Sequence, residues 1–175
     1  MSYNKKNHLR QNIDAIKLAL RLDKENRTAT PEEREILSAY SGFGGIKAIL
    51  NPVDKPEDIG SWSKSEAELF PMVRELHEVL RENSGTPEEY KRYIGSLKSS
   101  ILTAFYTPKP IIDALATSLK DNGILPTRFL EPSAGTGAFI SSFKDIAPEA
   151  DITSFEKDLL TGKILTHLYL SLIHI

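Results

Sequence analysis

The chain has 175 residues, of which 40% are hydrophobic and 26% charged, with a formal net charge of −2. That balance describes a globular protein with a real core, one domain or one domain with a helical extension, and it excludes a global positive field that would draw nucleic acid or an anionic membrane to the whole surface. The lack of cysteine excludes disulfides, thiolate catalysis and zinc–cysteine sites, and it fits a reducing cytoplasm.

The four histidines, His8, His77, His167 and His174, form no pair with metal-ligand spacing, so no metal is expected. Met1 to Arg10 is polar and lacks the apolar core of a secretory signal. The apolar run from Ile164 to Ile175 is too short to span a bilayer. It reads as a helix to be buried by something that follows, in a truncated domain with no third strand.

Leu9, Ile13, Ile16 and Leu20 recur at helical spacing and predict an amphipathic helix over about 5–24. Thr30-Pro31-Glu32-Glu33 is a capping box with proline at the first helical position, so a helix starts there and runs to about Tyr40. Ser41 to Gly45 breaks it, and the glycines read as a flexible helix end in preference to a ligand-touching loop. Asn51 to Gly60 is a loop by its prolines and glycine. A helix over about 65–82 carries Leu69, Val73, Leu76 and Leu80 on one face, and Thr86-Pro87-Glu88-Glu89 opens another. These four helices make residues 1–100 a helical N-terminal region.

The pattern changes near Ile101. Tyr106-Thr107-Pro108-Lys109-Pro110 is extended, because a residue before proline is pushed out of the helical region. A helix follows and stops at Asn122-Gly123. Arg128 to Leu130 reads as a strand, Ala138 to Lys144 as a helix, Ile152 to Phe155 as a second strand, and a last helix begins near Leu159. Strand, glycine turn, helix and strand form a βαβ unit, so 101–175 is expected to begin an α/β domain with a parallel sheet.

The turn Glu131-Pro132-Ser133-Ala134-Gly135-Thr136-Gly137 lets backbone approach a ligand closely. The third glycine of a dinucleotide fingerprint is replaced by Ile140, and no phosphate-loop pattern surrounds Gly162-Lys163. Glu131 ends the first strand, where a carboxylate is a poor neighbour for pyrophosphate. It suits a ligand with positive groups, such as the ammonium and sulfonium of S-adenosylmethionine. Glu156 ends the second strand about twenty residues on, where an acid accepts hydrogen bonds from ribose hydroxyls in nucleoside-binding units. The alternatives are a ligand-free turn and solvated carboxylates, and Lys157 and Asp158 read as surface charge.

Residues 104–112 (AFYTPKPII) followed by 129–139 (FLEPSAGTGAF) resemble the opening of the N6-adenine DNA methyltransferases, as found in type I modification subunits and in methylase–helicase fusions of mobile elements. The resemblance covers about residues 101–158. It implies a Rossmann-like, S-adenosylmethionine-dependent fold in which Tyr106, Thr107, Glu131, Ser133, Ala134, Gly135, Gly137 and Glu156 contact the cofactor. It also implies DNA as partner, a fused or separate helicase or specificity subunit, and a role in restriction–modification. Residues 1–100, including the YSGFGGI stretch at 40–46, resemble the helical leader of the mobile-element fusions more loosely. The family's Asn- or Asp-Pro-Pro-aromatic motif, which holds the flipped adenine, has no counterpart in this sequence. A fragment inactive on its own is therefore expected. Two other readings stay open: a non-catalytic module gripping DNA or protein through Lys5, Lys6, Arg10, Lys17 and Arg21 of the first helix, and a methyltransferase acting on RNA or a small molecule.

Overall fold

The computed structural model describes residues 4–103, 106–169 and 173–174. Ala104 and Phe105, which open the 104–112 stretch, and most of the apolar tail beyond Tyr169 lie outside them. The fold is mixed α/β, mostly helical, with a small parallel sheet.

Helix α1 (Lys5–Glu25) starts where the Asn4 side chain accepts from the amides of Lys6 and Asn7, and it stops at Asn26, whose φ is 49°. Its buried stripe is Leu9, Ile13, Ile16 and Leu20, one residue per turn. Helix α2 (Pro31–Ser38) opens with the full capping box: Thr30 accepts from the Glu33 amide while the Glu33 carboxylate accepts from the Thr30 amide. Arg27 forks onto both oxygens of Glu33 at 2.6 Å, which closes the corner between the two helices.

The glycine-rich stretch after α2 departs from expectation. Tyr40, Phe43 and Ile46 are buried, and the Tyr40 and Phe43 rings meet edge to face at 6.2 Å. Asn12, fully buried in α1, accepts from the Ser41 amide at 3.0 Å and donates to the Gly42 carbonyl, to which His8 Nε2 also donates at 2.7 Å. The Phe43 amide donates to Ser100 Oγ at 3.0 Å. The stretch is a pinned turn, not a flexible helix end, because its polar backbone finds partners on α1 and α4.

Pro56–Ser61 makes a short 3-10 turn inside the expected loop, and a second such turn, Ala67–Leu69, delays helix α3 to Phe70–Glu82. His77 sits in the core between the Ile49 carbonyl and the Tyr90 hydroxyl, at 2.7 Å from each. Burial pulls its pKa down, so the ring is a neutral structural bridge. Helix α4 (Pro87–Thr103) is capped by Thr86 Oγ1, which accepts from the Glu89 amide at 3.1 Å.

Helix α5 (Lys109–Asp121) leads to strand β1 (Arg128–Glu131), helix α6 (Ala138–Ile146), strand β2 (Asp151–Phe155) and helix α7 (Leu159–Leu168). β1 and β2 run parallel, from Arg128 opposite Asp151 to Glu131 opposite Ser154. The tail corrects a second expectation. Helix α7 ends at Leu168, and Ile173–His174 form a two-residue strand, β3, parallel to β2 on its other side. The expected continuation of the helix with no third strand does not hold, since β2 still has an unpaired edge to offer.

One core joins α1 to α4 and takes in Leu160 and Ile164 of α7; a smaller one gathers Ala134, Ile140, Ile152 and Leu165 under the sheet. Helix α7 therefore faces both. Asp23 of α1 clamps it from outside, accepting from Lys163 and, at 2.8 Å, from His167 Nε2. On the opposite sheet face Leu130 and Phe155 are exposed.

Ile164 is wholly buried, so Ile164→Ala is expected to cost about 2–4 kcal/mol by the usual penalty for a core cavity. Urea titrations followed by Trp62 fluorescence and by circular dichroism should move together. Glu75, between Arg10 and Lys17, has its carboxyl held down to about 2, chiefly by the Arg10 hydrogen bond. A depressed folded pKa contributes stability above the ordinary carboxylate value and loses it as pH falls through about 2. Stability measured from pH 5 downward should fall, and Glu75→Gln should flatten that fall.

Candidate functional site

Strand β1 delivers Glu131 to the lip of the sheet, and the chain turns back on itself before α6. Two hydrogen bonds fold that turn: the Ala134 amide to the Phe155 carbonyl at 2.9 Å, and the Gly137 amide to the Ala134 carbonyl at 2.8 Å. Gly135 and Gly137 take φ of 54° and 83°, a region that costs an L side chain about 1–2 kcal/mol. The two glycines serve different ends. A Cβ on Gly135 would lie 2.8 Å from Cε1 of Tyr106, so the missing side chain lets the tyrosine ring cross the turn. A Cβ on Gly137 would overlap the Tyr169 ring and touch Leu165, so that glycine lets α6 start close against the end of α7.

Glu156 ties the turn to β2. Its Oε2 accepts from the Gly135 amide at 2.7 Å, and its Oε1 accepts from the Asp158 amide at 2.7 Å. Each carboxylate oxygen has a second acceptor position, so the group retains capacity for two hydroxyl donors. Glu131 Oε1 accepts from the Ser133 amide at 3.0 Å and likewise keeps acceptor capacity.

Between these groups lies a cavity of about 390 Å³, within the range of small-molecule and cofactor sites. Tyr106, Thr107, Glu131, Ser133, Ala134, Gly135 and Glu156 all line it; Gly137 does not. The wall also takes in Ser100, Ile112, Phe139, Asp158 and Thr161, which the sequence did not assign to a ligand.

Asp158 corrects its reading as surface charge. It is the N-cap of α7, accepting from the Thr161 amide at 2.9 Å, and its other oxygen accepts from Ser96 Oγ at 2.6 Å. An aspartate followed by Leu159-Leu160-Thr161 is a helix-start signal that could have identified it. Ser96 Oγ in turn accepts from the Leu160 amide at 3.1 Å, so α4 helps to seat the first turn of α7.

The lining holds three carboxylates, Glu131, Glu156 and Asp158, and no lysine or arginine among the described residues. Desolvation, reinforced by Glu156 and Asp158, pushes the Tyr106 phenol up to about 12 against the opposing Thr161 hydrogen bond, so it stays neutral near pH 7. Thr161 also meets the buried Tyr40 hydroxyl at 3.4 Å. Hydroxyls thus run from the pinned turn of the helical region to the cavity wall. The arrangement can bind a cationic, hydroxyl-bearing molecule. Among the described residues there is no cluster of three or more metal-ligating side chains, and no helix is long and apolar enough to cross a membrane.

No family model matches the chain, and no solved structure matches it. It is similar to a curated protein, the type II methyltransferase M.XamI of Xanthomonas campestris pv. amaranthicola, at 37% identity over 62 residues. The match covers 35% of this chain and only 12% of that relative's length.

Alanine at either turn glycine strains the backbone, but Gly137→Ala meets two packed side chains and Gly135→Ala meets one ring. Gly137→Ala should therefore lower the denaturation midpoint more than Gly135→Ala. The reverse order would mean that Tyr106 is held more tightly than the α6–α7 junction.

Proposed function

We propose that this chain is the S-adenosylmethionine-binding portion of a DNA adenine-N6 methyltransferase, with a Rossmann-like sheet carrying the cofactor. The observation that supports the reading best is the convergence of Glu131, Gly135 and Glu156 on one cavity whose charged groups are all acidic. A dinucleotide would bring a pyrophosphate to those carboxylates, whereas S-adenosylmethionine brings an ammonium and a sulfonium. The similarity to a type II methyltransferase over 62 residues points the same way.

In this reading Glu131 and Ser133 hold the methionine ammonium, and Tyr106 and Thr107 lie against the methionine part. The turn backbone at Ala134 and Gly135 approaches the cofactor closely, while Glu156 accepts the ribose hydroxyls with the lone pairs left after its two amide bonds. Gly137 supports the turn from behind instead of touching the ligand. The bound cofactor would supply an activated methyl group. The chain's own residues bind and orient it, and the neutral Tyr106 ring screens it from water over Gly135. No Asn- or Asp-Pro-Pro-aromatic tetrapeptide occurs in the sequence, so no residue of this chain is assigned to the adenine. DNA is the proposed substrate of the whole enzyme.

Hydrogen bonds to a charged acceptor contribute about 1.5–3 kcal/mol, so Glu156→Ala should weaken S-adenosylmethionine at least about tenfold in calorimetry. Glu156→Gln, which keeps the shape and loses the charge, should fall between that variant and wild type. Equal affinity in all three, or tighter binding of NAD than of S-adenosylmethionine, would overturn the reading.

A further inference from the structure

The bases of the chain differ in whether an acid neutralises them. Those on α1 are largely neutralised: Arg10 and Lys17 pair with Glu75, Arg21 with Glu33, and Lys5 with Glu66. Lys91, Arg92 and Lys98 of α4, with Lys157 after β2, make no ion pair among the described residues. All four side chains are exposed.

On a helix of 3.6 residues per turn, Lys91, Arg92, Gly95, Lys98, Ser99 and Leu102 fall on one face about 120° wide. All six are exposed; Glu88, also exposed, opens the same face, and the sequence has no acidic residue from Tyr90 to Ile112. Beside this face runs a groove of about 280 Å³ lined by Arg92, Gly95, Ser96, Ser99, Lys157 and Asp158. Asp158 also borders the acidic cavity, so groove and cavity share a wall. The Asp158 carboxylate is already engaged by the Thr161 amide and Ser96 Oγ, which leaves Arg92 and Lys157 as the free charges of the groove.

Gly95 is the second observation. Glycine is the least favourable non-proline residue inside a helix, and a Cβ there would meet nothing within 4 Å. Packing therefore does not demand it. Its bare backbone lines the groove beside Arg92.

We propose that this face of α4, with Lys157, is the surface on which the phosphodiester backbone of duplex DNA lies beside the cofactor cavity. A polyanion fits three unpaired cations along one helix face with a fourth, Lys157, at the adjoining groove, and the exposed Leu102 is too little apolar surface for a membrane. The choice of DNA over another phosphodiester rests on the proposed function.

The test measures fluorescence anisotropy of a labelled mixed-sequence DNA duplex over a salt series with the full chain. Wild type should lose affinity with salt at a log–log slope of about 3 to 4, one unit for each of the four phosphate contacts. The quadruple variant K91Q/R92Q/K98Q/K157Q should bind at least about tenfold more weakly at low salt, with most of that slope gone. A control removing the same charge elsewhere, K24Q/K55Q/K64Q/K120Q, should stay close to wild type. Gly95→Leu should keep or raise the melting temperature while weakening DNA several-fold, which a merely structural role would not do.

The proposal is overturned if the two quadruple variants lose affinity equally, if the α4 variant keeps the wild-type slope, if Gly95→Leu binds as wild type does, or if duplex RNA of the same length binds more tightly. Calorimetry with S-adenosylmethionine separates the two claims. Cofactor binding without DNA binding overturns the surface alone. DNA binding without cofactor binding overturns the proposed function and leaves the surface standing.

Discussion

The site depends on one carboxylate held by two backbone amides. Glu156 reaches back from the end of β2 to the Gly135 amide and forward to the Asp158 amide, at 2.7 Å each. Charge-assisted bonds of this kind are short and roughly twice as strong as neutral ones. They fix the distance between the glycine turn and the start of α7, which are the two sides of the cavity. Without that bridge the turn would be tied to β2 by the Ala134–Phe155 bond alone. The same group that reads as a ligand contact is thus also a strut, and its remaining lone pairs point to a function because its first ones are already used.

Helix α7 extends that constraint to the rest of the molecule. Its cap, Asp158, is held by Ser96 of α4, its inner side packs Leu160 and Ile164 into the helical core, and Leu165 supports the sheet. Tyr40 reaches Thr161 from the pinned turn after α2, and Tyr106 meets the same threonine from the cavity side. The helical region is therefore part of the cavity's architecture. A ligand pressing on Tyr106 presses, through one hydroxyl, on a buried turn some sixty residues earlier in the chain.

Local signals were legible in the sequence, and long-range ones were not. Both Thr-Pro-Glu-Glu segments mark helix starts because the signal lies within four residues, although only Thr30 and Glu33 close the full reciprocal box while Glu89 accepts from the Gly85 amide. The βαβ unit was visible because strand, glycine turn and helix follow one another directly, and seven of eight expected site residues share one cavity for the same reason. The turn over 40–46 was misread because its partners, Asn12, His8 and Ser100, lie far away in sequence. Gly137 looked identical to Gly135 by spacing, yet the atoms that require it, on Leu165 and Tyr169, belong to a later helix and its end. β3 was hidden because two residues of strand leave no period to detect.

A net charge of −2 concealed the feature that matters most, the separation of charge. Three carboxylates line one cavity without a lysine or arginine among the described residues, while one face of α4 carries three cations against a single acid, Glu88. Averaged over the chain these cancel, so composition alone excluded only a global field and left any DNA contact to a local basic patch. Locally they do not cancel, because screening in physiological salt confines each field to about 8 Å. A cationic small molecule and a phosphate backbone can then be held on opposite sides of one wall. Asp158 stands in that wall as the cap of α7; its charge acts on the cavity side, where it helps raise the Tyr106 phenol, and it makes no ion pair with Arg92 or Lys157 among the described residues. Placing a committed carboxylate at the boundary is how a weakly acidic chain can present a basic surface next to an acidic pocket.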